Sequence, residues 1–321
     1  MHTRSEPVHT IGIDLGGTKI AAAVVNEAGE VLAHLNVPTR AEDGPRAVLD
    51  RMAELAWRVS ETVPSVRPMA VGVGAPGPLN PKNGLVFGPP NLPGWDHVNL
   101  VEELQERLDL HVVLDNDANA ATLAESTVGA GRGFQDLVYI TVSTGIGGGV
   151  MLDGKVRQGQ SGGAAEVGHH IVDIHGPLCR CGNHGCLETF ASGTAIERTA
   201  LEKLGEPLDA RQVVERARAG SAIAEQILDD VYRYLGVGLV NVVNLFDPAI
   251  IIVGGGVAQI GRPMFEALQK AVNNNHFRSK AAERVKVVPA QLGTRAGVIG
   301  AALLPHVETE GSRLDLLRQS T

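Results

Sequence analysis

Apolar positions along the chain alternate or cluster with periods that mark strands and helices. An apolar stretch carrying Ile11, Ile13 and Leu15 breaks at Gly16-Gly17 and resumes over residues 20–25. A turn at 27–30 leads into a third strand at 31–37, which predicts an antiparallel meander. Residues 44–63 place Val48, Met52, Leu55, Ala56 and Val59 on one helical face. A short buried strand follows at 69–74, then a Pro/Gly-rich loop from 75 to 95, a helix at 100–108, a strand at 111–114 and a helix starting at 118–126.

The opening theme then returns. A strand at 137–142, a glycine-rich turn at 143–149, a strand at 150–152, a tight turn at Asp153-Gly154 and a strand at 155–157 repeat the meander about 130 residues on. A repeat of that length predicts two related lobes, each with a glycine turn able to wall one side of a central ligand cleft. Beyond it lie a Cys/His loop (166–188), a mostly helical region (191–244), and a buried strand (249–253) entering Gly254-Gly255-Gly256. A small-residue helix at 297–304 precedes a polar tail with Leu314, Leu316 and Leu317 available for docking. Strands alternating with helices indicate an α/β class. With crossings near 118–122 and 300–305, the expected lobes are 1–120, completed by about 303–321, and 121–302.

Composition narrows the function. The 321 residues are 44% hydrophobic and 20% charged, a globular balance with length for two domains. Net charge of −8 and the lack of any Lys/Arg block argue against a nucleic-acid partner. No apolar run reaches the ~20 residues that span a bilayer, and the first nine residues show no signal-peptide core, so a cytoplasmic protein is expected. All three cysteines fall within 179–186, which excludes a dispersed disulfide framework and points to metal or redox chemistry.

Several stretches carry candidate chemistry. In Asp14-Leu15-Gly16-Gly17-Thr18-Lys19, two glycines and a threonine let amides and a hydroxyl approach a phosphate, while Asp14 can hold Mg²⁺ through water. A plain hairpin is the bland alternative. Thr144, Gly145 and Gly147 in the second turn offer the same chemistry. Gly254, Gly255 and Gly256, after an apolar strand, suit an adenine or ribose pressed on backbone, or a tight strand-to-helix turn. The Walker A pattern is absent. Gly72-Val73-Gly74-Ala75-Pro76-Gly77 matches G-x-G-x-x-G only formally, since Pro76, Pro78 and Pro81 follow where a helix is required.

Asp115-Asn116-Asp117 stands between a strand and a helix, where capping alone accounts for one or two such residues. The functional reading has Asp117 accept a sugar hydroxyl proton and Asn116 position that sugar, since a loose phosphoryl-transfer transition state asks little base strength. Cys179-x-Cys181-x4-Cys186 can take three corners of a zinc tetrahedron. Among His169, His170, His175 and His184, either His169 or His170 best supplies the fourth, because the intervening residues let the chain fold back. Glu166 and Glu188 bracket this loop and suit sugar hydroxyls, although a single glutamate is more often merely solvated. Asn91 and Trp95 add an amide and a ring suited to a sugar, or simply a turn with a buried Trp.

Together these stretches resemble the ROK family of bacterial sugar kinases and sugar-responsive repressors, from about residue 11 to 304. The markers are Asp14 to Lys19, Asp115-Asn116-Asp117-Ala118-Asn119-Ala120, Glu166-Val167-Gly168-His169 and Cys179-Arg180-Cys181-Gly182-Asn183-His184-Gly185-Cys186-Leu187-Glu188. The resemblance implies a two-lobed actin-like, ribonuclease-H-like ATPase fold. It implies Asp117 as catalytic base, with Asn116, Glu166, His169 and Glu188 on the sugar. It also implies structural Zn²⁺ on His169, Cys179, Cys181 and Cys186, with His169 serving both metal and sugar. Repressors of the family carry an N-terminal helix-turn-helix domain; only about nine residues precede the first strand here, which favours the kinase branch. Asn91 to Trp95 resembles the loop of the family's glucokinases, implying glucose and ATP as substrates. Members acting on fructose, mannose or N-acetylated hexosamines share most markers, and a homodimer or homotetramer is common in the family. A sugar sensor without transfer would lack Asp117 or a glycine turn, and neither is lacking.

Overall fold

Strand β1 (His9–Leu15) is buried at most positions because it lies inside a sheet covered on both faces. It pairs antiparallel with β2 (Lys19–Asn26), with Asp14 opposite Ala21, and β2 pairs antiparallel with β3 (Val31–Pro38). In β3, half-buried and exposed residues alternate without a break, the pattern of an edge strand with one face wet. The chain returns through α1 (Pro45–Glu61), whose Val48, Met52, Leu55, Ala56 and Val59 are all buried, to β4 (Ala70–Ala75), parallel to β1. A small sheet of β5 (Leu79–Asn80), β6 (Leu85–Val86) and β7 (Val98–Asn99) occupies part of the Pro/Gly-rich loop. Helix α2 (Leu100–Leu108), capped by the Asn99 side chain, leads to β8 (His111–Asn116), parallel to β4. The strand order is β3-β2-β1-β4-β8.

The structure, a computed structural model, describes residues 8–275 and 285–307, so the tail leucines 314, 316 and 317 lie outside the described residues. Two compact units divide the chain: Met1–Gly129 with Gln158–Ala164 and Thr294–Thr321, and Ala130–Arg157 with Ala165–Gly293.

The second unit builds the same sheet again. Strands β9 (Leu137–Val142), β10 (Ile146–Leu152) and β11 (Lys155–Val156) form the antiparallel meander. After α4 (Glu188–Ala191), α5 (Gly193–Leu204), α6 (Ala210–Arg218) and α7 (Ala222–Phe246), β12 (Ile250–Gly254) pairs parallel with β9. Helix α8 (Arg262–Asn275) then precedes β13 (Lys286–Pro289), parallel to β12, giving the order β11-β10-β9-β12-β13. Strand for strand, order and direction match the first unit, which is the duplication read from the glycine turns. Among the described residues no helix is long and apolar enough to cross a membrane.

Two expectations need correction. The glycine-rich turn at 143–149 is mostly strand: β10 begins at Ile146, and Gly147, Gly148 and Gly149 pair with Thr141, Ile140 and Tyr139. Gly148 stays in the ladder because a Cβ there would lie 2.8 Å from Val167 Cγ2 and 2.9 Å from the Ala165 carbonyl. The unit boundaries also differ from a break at 120 and at 302. Helices α3 (Asp117–Val128) and α9 (Ala296–Val307) both belong whole to the first unit. They pack backbone to backbone, since a Cβ on Gly300 would overlap the Ala120 carbonyl. Likewise a Cβ on Gly12 or Gly72 would overlap the carbonyl of Val298 or Ala301, and Thr10 Oγ1 donates to the Ala302 carbonyl at 2.6 Å.

Gly300→Val should therefore destabilise the protein by about 3 kcal/mol or more. Gly163→Ala, whose Cβ would meet nothing closer than 3.8 Å, should stay within about 0.5 kcal/mol. Urea midpoints check both.

Candidate active site

The first glycine turn is closed by Gly16 N donating to Lys19 O at 3.0 Å, and Thr39 Oγ1 holds it from below by donating to Gly16 O at 2.6 Å. Thr18 and Lys19 are exposed. Asn91 lies directly over Gly17: a Cβ there would be 2.8 Å from Asn91 Cβ and 3.0 Å from Nδ2. The loop read as sugar-contacting and the turn read as phosphate-contacting thus touch. Trp95 takes the bland alternative, because it is fully buried and its Nε1 finds no acceptor. It is a core residue, and no sugar face can stack on it.

Asp14, at the end of β1, has its carboxylate beside the first turn of α9; a Cβ on Gly297 would be 2.7 Å from Oδ2. The group keeps some solvent contact but is densely surrounded, and this desolvation raises its carboxyl from 3.8 to about 6 against the opposing pull of Lys19.

The β8–α3 corner holds the triplet. Asn116 is the N-cap, its Oδ1 accepting from Ala118 N at 2.9 Å, so capping does account for this residue while Nδ2 remains a donor. Asp117 is the exposed first residue of α3, and its Oδ1 also accepts from Ala118 N, at 2.7 Å. Asp115, given no role from the sequence, is buried and accepts from Asn116 N, Asn119 Nδ2 and Gln158 Nε2. The formal G-x-G-x-x-G match runs from β4 into β5 and a three-residue 3-10 turn (Pro81–Asn83), not into an α-helix. Its glycines let the corner come close: Cβ atoms on Gly74 and Gly77 would lie 3.6 Å from Asp117 Cα and from Asn116 Nδ2.

In the second unit the turn proper is Ser143 to Gly145, closed by Ser143 N donating to Gly145 O at 2.8 Å. Gly147, grouped with it from the sequence, instead faces Thr141 inside the ladder. The start of α5 seats on the turn: Gly193 N donates to Ser143 O at 2.7 Å and Thr194 Oγ1 to Thr144 O at 2.8 Å. Thr144 and Gly145 border an open pocket of ≈ 160 Å³ that also reaches Cys179, Glu188, Thr194 and Arg198. Gly254 ends β12 opposite Thr141, and Gly255 adopts φ 88° with its missing Cβ 2.6 Å from the Val142 carbonyl carbon. Both glycine stretches therefore converge at the end of β9.

His169, Cys179, Cys181 and Cys186 bring one ligand atom each within 4.8 Å of one another. Cys181 and Cys186 Sγ are 3.6 Å apart, as are Cys179 Sγ and His169 Nδ1. Thiolates at the 2.3 Å zinc–sulfur distance on a tetrahedron stand about 3.8 Å apart, so the donor set fits that ion. Without a cation the thiols burden one another: burial foremost, and then its neighbours, push the Cys186 thiol up to about 12. Cys181 is exposed and lowered to about 7, chiefly by the Asn183 amide. Of the four candidate histidines, His169 is the one grouped with the thiols, while His184 is committed to the turn through Gly176 O and His170 Nε2 is buried near α7. Glu188 Oε2 accepts from Ile146 N at 3.0 Å and Oε1 lies 3.8 Å from Cys179 Sγ, so this carboxylate braces the second turn against the cysteine loop. Glu166 is exposed.

A sheet of this order built twice, with a glycine turn after the first strand of each copy, defines an actin-like, ribonuclease-H-like α/β protein. The chain belongs to the ROK family, whose profile matches residues 10–308. It is 38% identical over 306 residues to a glucokinase of Thermotoga maritima, covering 91% of this chain and 95% of that protein. A solved ROK hexokinase from Thermus thermophilus superposes with TM-score 0.86 at 40% identity, over 95% of this chain and all of that one. A ROK glucokinase from Streptomyces griseus, solved with glucose and AMPPNP, gives TM-score 0.78 at 36% identity, over 92% and 98% of the two chains.

The raised carboxyl of Asp14 has a stability consequence. An acid whose folded value of about 6 exceeds its unfolded value of 3.8 favours the fold most below 3.8, and that contribution is lost as pH rises towards 6. In magnesium-free buffer, Asp14→Asn should exceed the wild type in stability at pH 7.5 by an amount on the order of 2 kcal/mol, and the gap should shrink as pH falls below 6. Denaturant midpoints across that range check it.

Proposed function

We propose that this chain, an ATP-dependent sugar kinase of the ROK family, transfers the γ-phosphoryl group of ATP to a hydroxyl of glucose, yielding glucose 6-phosphate and ADP. The observation that carries the reading is Asp117, exposed on the first turn of α3 with Asn116 beside it. Asp117 is the general base: it takes the hydroxyl proton as the sugar oxygen bonds to phosphorus and the bond to the ADP oxygen breaks. Asn91, Asn116, Glu166, His169 and Glu188 are assigned to the sugar hydroxyls. The contact between Asn91 and Gly17 supports the first of these. Asn116 offers its remaining Nδ2 donor, and Glu188 only what is left after Ile146 N is satisfied.

Asp14, Gly16, Gly17, Thr18 and Lys19 are assigned to the phosphates and, through water, to Mg²⁺. Thr144, Gly145 and Gly254 to Gly256 are assigned to the rest of ATP, in keeping with their convergence at the end of β9. Zinc on His169, Cys179, Cys181 and Cys186 would act as a structural staple, since four protein ligands leave no open position. Nδ1 of His169 faces the thiols, so Nε2 is the nitrogen assigned to the sugar. A homo-oligomer is expected from the family, and α7 leaves Val237 and Leu245 exposed for such a contact.

A coupled assay for ADP over glucose, mannose, fructose and the N-acetylated hexosamines tests the reading, with the highest kcat/KM expected for glucose. No ADP above background with any hexose would instead indicate a sensor. Asp117→Asn should bind glucose within a few-fold of wild type yet lose roughly 10³-fold or more in kcat; near-native turnover would remove Asp117 from the role. Cys181→Ser should lose zinc, raise the glucose KM and lower Tm by roughly 5 °C or more. Full zinc occupancy in that variant by metal analysis would contradict the ligand set.

A further inference from the structure

Asp115 is 2% exposed, yet three donors converge on its carboxylate. Oδ1 accepts from Asn116 N at 2.7 Å and Asn119 Nδ2 at 2.9 Å, while Oδ2 accepts from Gln158 Nε2 at 2.8 Å. Burial raises the carboxyl and the three hydrogen bonds oppose that rise. Two of the donors belong to the β8–α3 corner itself. The third is 43 positions away in the chain.

Gln158 begins Gln158–Ala164, a segment of the first unit whose neighbours on both sides in the chain belong to the second. Ala164 N donates to Gln158 O at 3.1 Å, closing the segment into a loop. Gly162, at φ 86°, sits so near the Leu79 carbonyl (2.7 Å from its missing Cβ) and Pro81 Cδ (2.6 Å) that no side chain fits there. The loop is thus pinned at two points, on Asp115 and on β5 with the proline that follows it. A hydrogen bond to a buried, charged acceptor is stronger than one between neutral groups, and its loss leaves that acceptor short of a partner.

We propose that Asp115 and Gln158 are a positioning pair: one buried carboxylate fixes the corner bearing Asn116 and Asp117 and, through Gln158, holds residues 158–164 beside that corner as a rim of the sugar subsite. This rests on Asp117 being the base and on the sugar lying at that corner. The pair touches neither substrate nor phosphate; it sets the distance between groups that do. A misplacement of about 1 Å can cost on the order of 100-fold in rate, so a tie of this kind has catalytic weight without contact.

The test is kinetic and structural together, on the full chain. Gln158→Ala should raise the glucose KM about tenfold, leave the ATP KM within about twofold, and speed amide exchange of residues 159–164 about tenfold. Gln158→Glu sets two carboxylates face to face, with no donor between them, and should do at least as much. Combining Asp115→Asn with Gln158→Glu exchanges donor and acceptor and should bring the glucose KM back to within about threefold of wild type. The double variant guards against simple misfolding, because a merely structural loss would be deepened by a second substitution. A glucose KM within twofold of wild type in Gln158→Ala, or unchanged exchange of 159–164, overturns the pair. Wild-type protein that phosphorylates no hexose would sink the kinase reading instead, and the exchange measurement would then decide the pair alone.

Discussion

Main chain pressed on main chain is the constraint from which the first unit follows. Helix α9 lies on β1 and β4 at a separation that only glycine permits, at Gly12 and Gly72 on the sheet and at Gly300 against α3. Close approach leaves little room for side chains, and it carries polar backbone into the core, where Thr10 Oγ1 satisfies the Ala302 carbonyl. It also fixes where the start of α9 falls, beside the carboxylate of Asp14. The raised carboxyl of Asp14 is thus a by-product of tight packing: the burial that makes the sheet stable denies the charge its water. A cation near that carboxylate would restore what burial removes, which is why its position suits a group working beside Mg²⁺ and phosphates.

The second unit uses the same device and adds another. Gly148 and Gly168 let the chain around Ala165 and Val167 lie on β10, and Gly255 lets β12 turn against the end of β9. The high glycine count of 39 therefore reflects packing as much as ligand contact. The addition is Glu188, whose two oxygens reach the Ile146 amide and the neighbourhood of Cys179. One carboxylate links the turn assigned to ATP with the loop assigned to zinc. Two of the thiols held this close, Cys179 and Cys186, resist ionising, the latter at about 12, and a divalent cation would reverse that resistance by stabilising the thiolates. Metal loading and the geometry of the second turn would then be coupled through Glu188.

Much of this was legible in the chain. Period-two burial in β3, the one-sided helix α1 and the repeated meander all follow from local spacing, and the structure repeats the sheet in the same order in both units. Glycine was the main source of error. Gly147 to Gly149 read as a turn because a glycine run usually signals one, whereas here the lack of side chains serves a strand crowded by Val167. Trp95 stays open in the sequence between a sugar-facing ring and a buried one, because the burial of a ring cannot be inferred from five residues. Helices α3 and α9 read as crossings because the Gly300 to Ala120 contact joins distant parts of the chain. Gln158 carried no local signal at all, since its meaning lies wholly in a partner 43 residues back.

The corner of β8 and α3 shows why a bland reading and a functional one need not compete. Asn116 caps the helix and Asp117 opens it, so both side chains are held by the Ala118 amide. Capping is what fixes them: a helix N-terminus needs acceptors, and the residues that satisfy it lose rotamer freedom that a reactive group would otherwise have to give up at the moment of binding. Beneath them Asp115 supplies the rigidity, turning a local cap into a fixed point of the fold. The proposed role of Asp117 as base asks mainly for this fixed placement, because phosphoryl transfer through a loose transition state depends on where the acceptor oxygen is held more than on how strongly its proton is pulled.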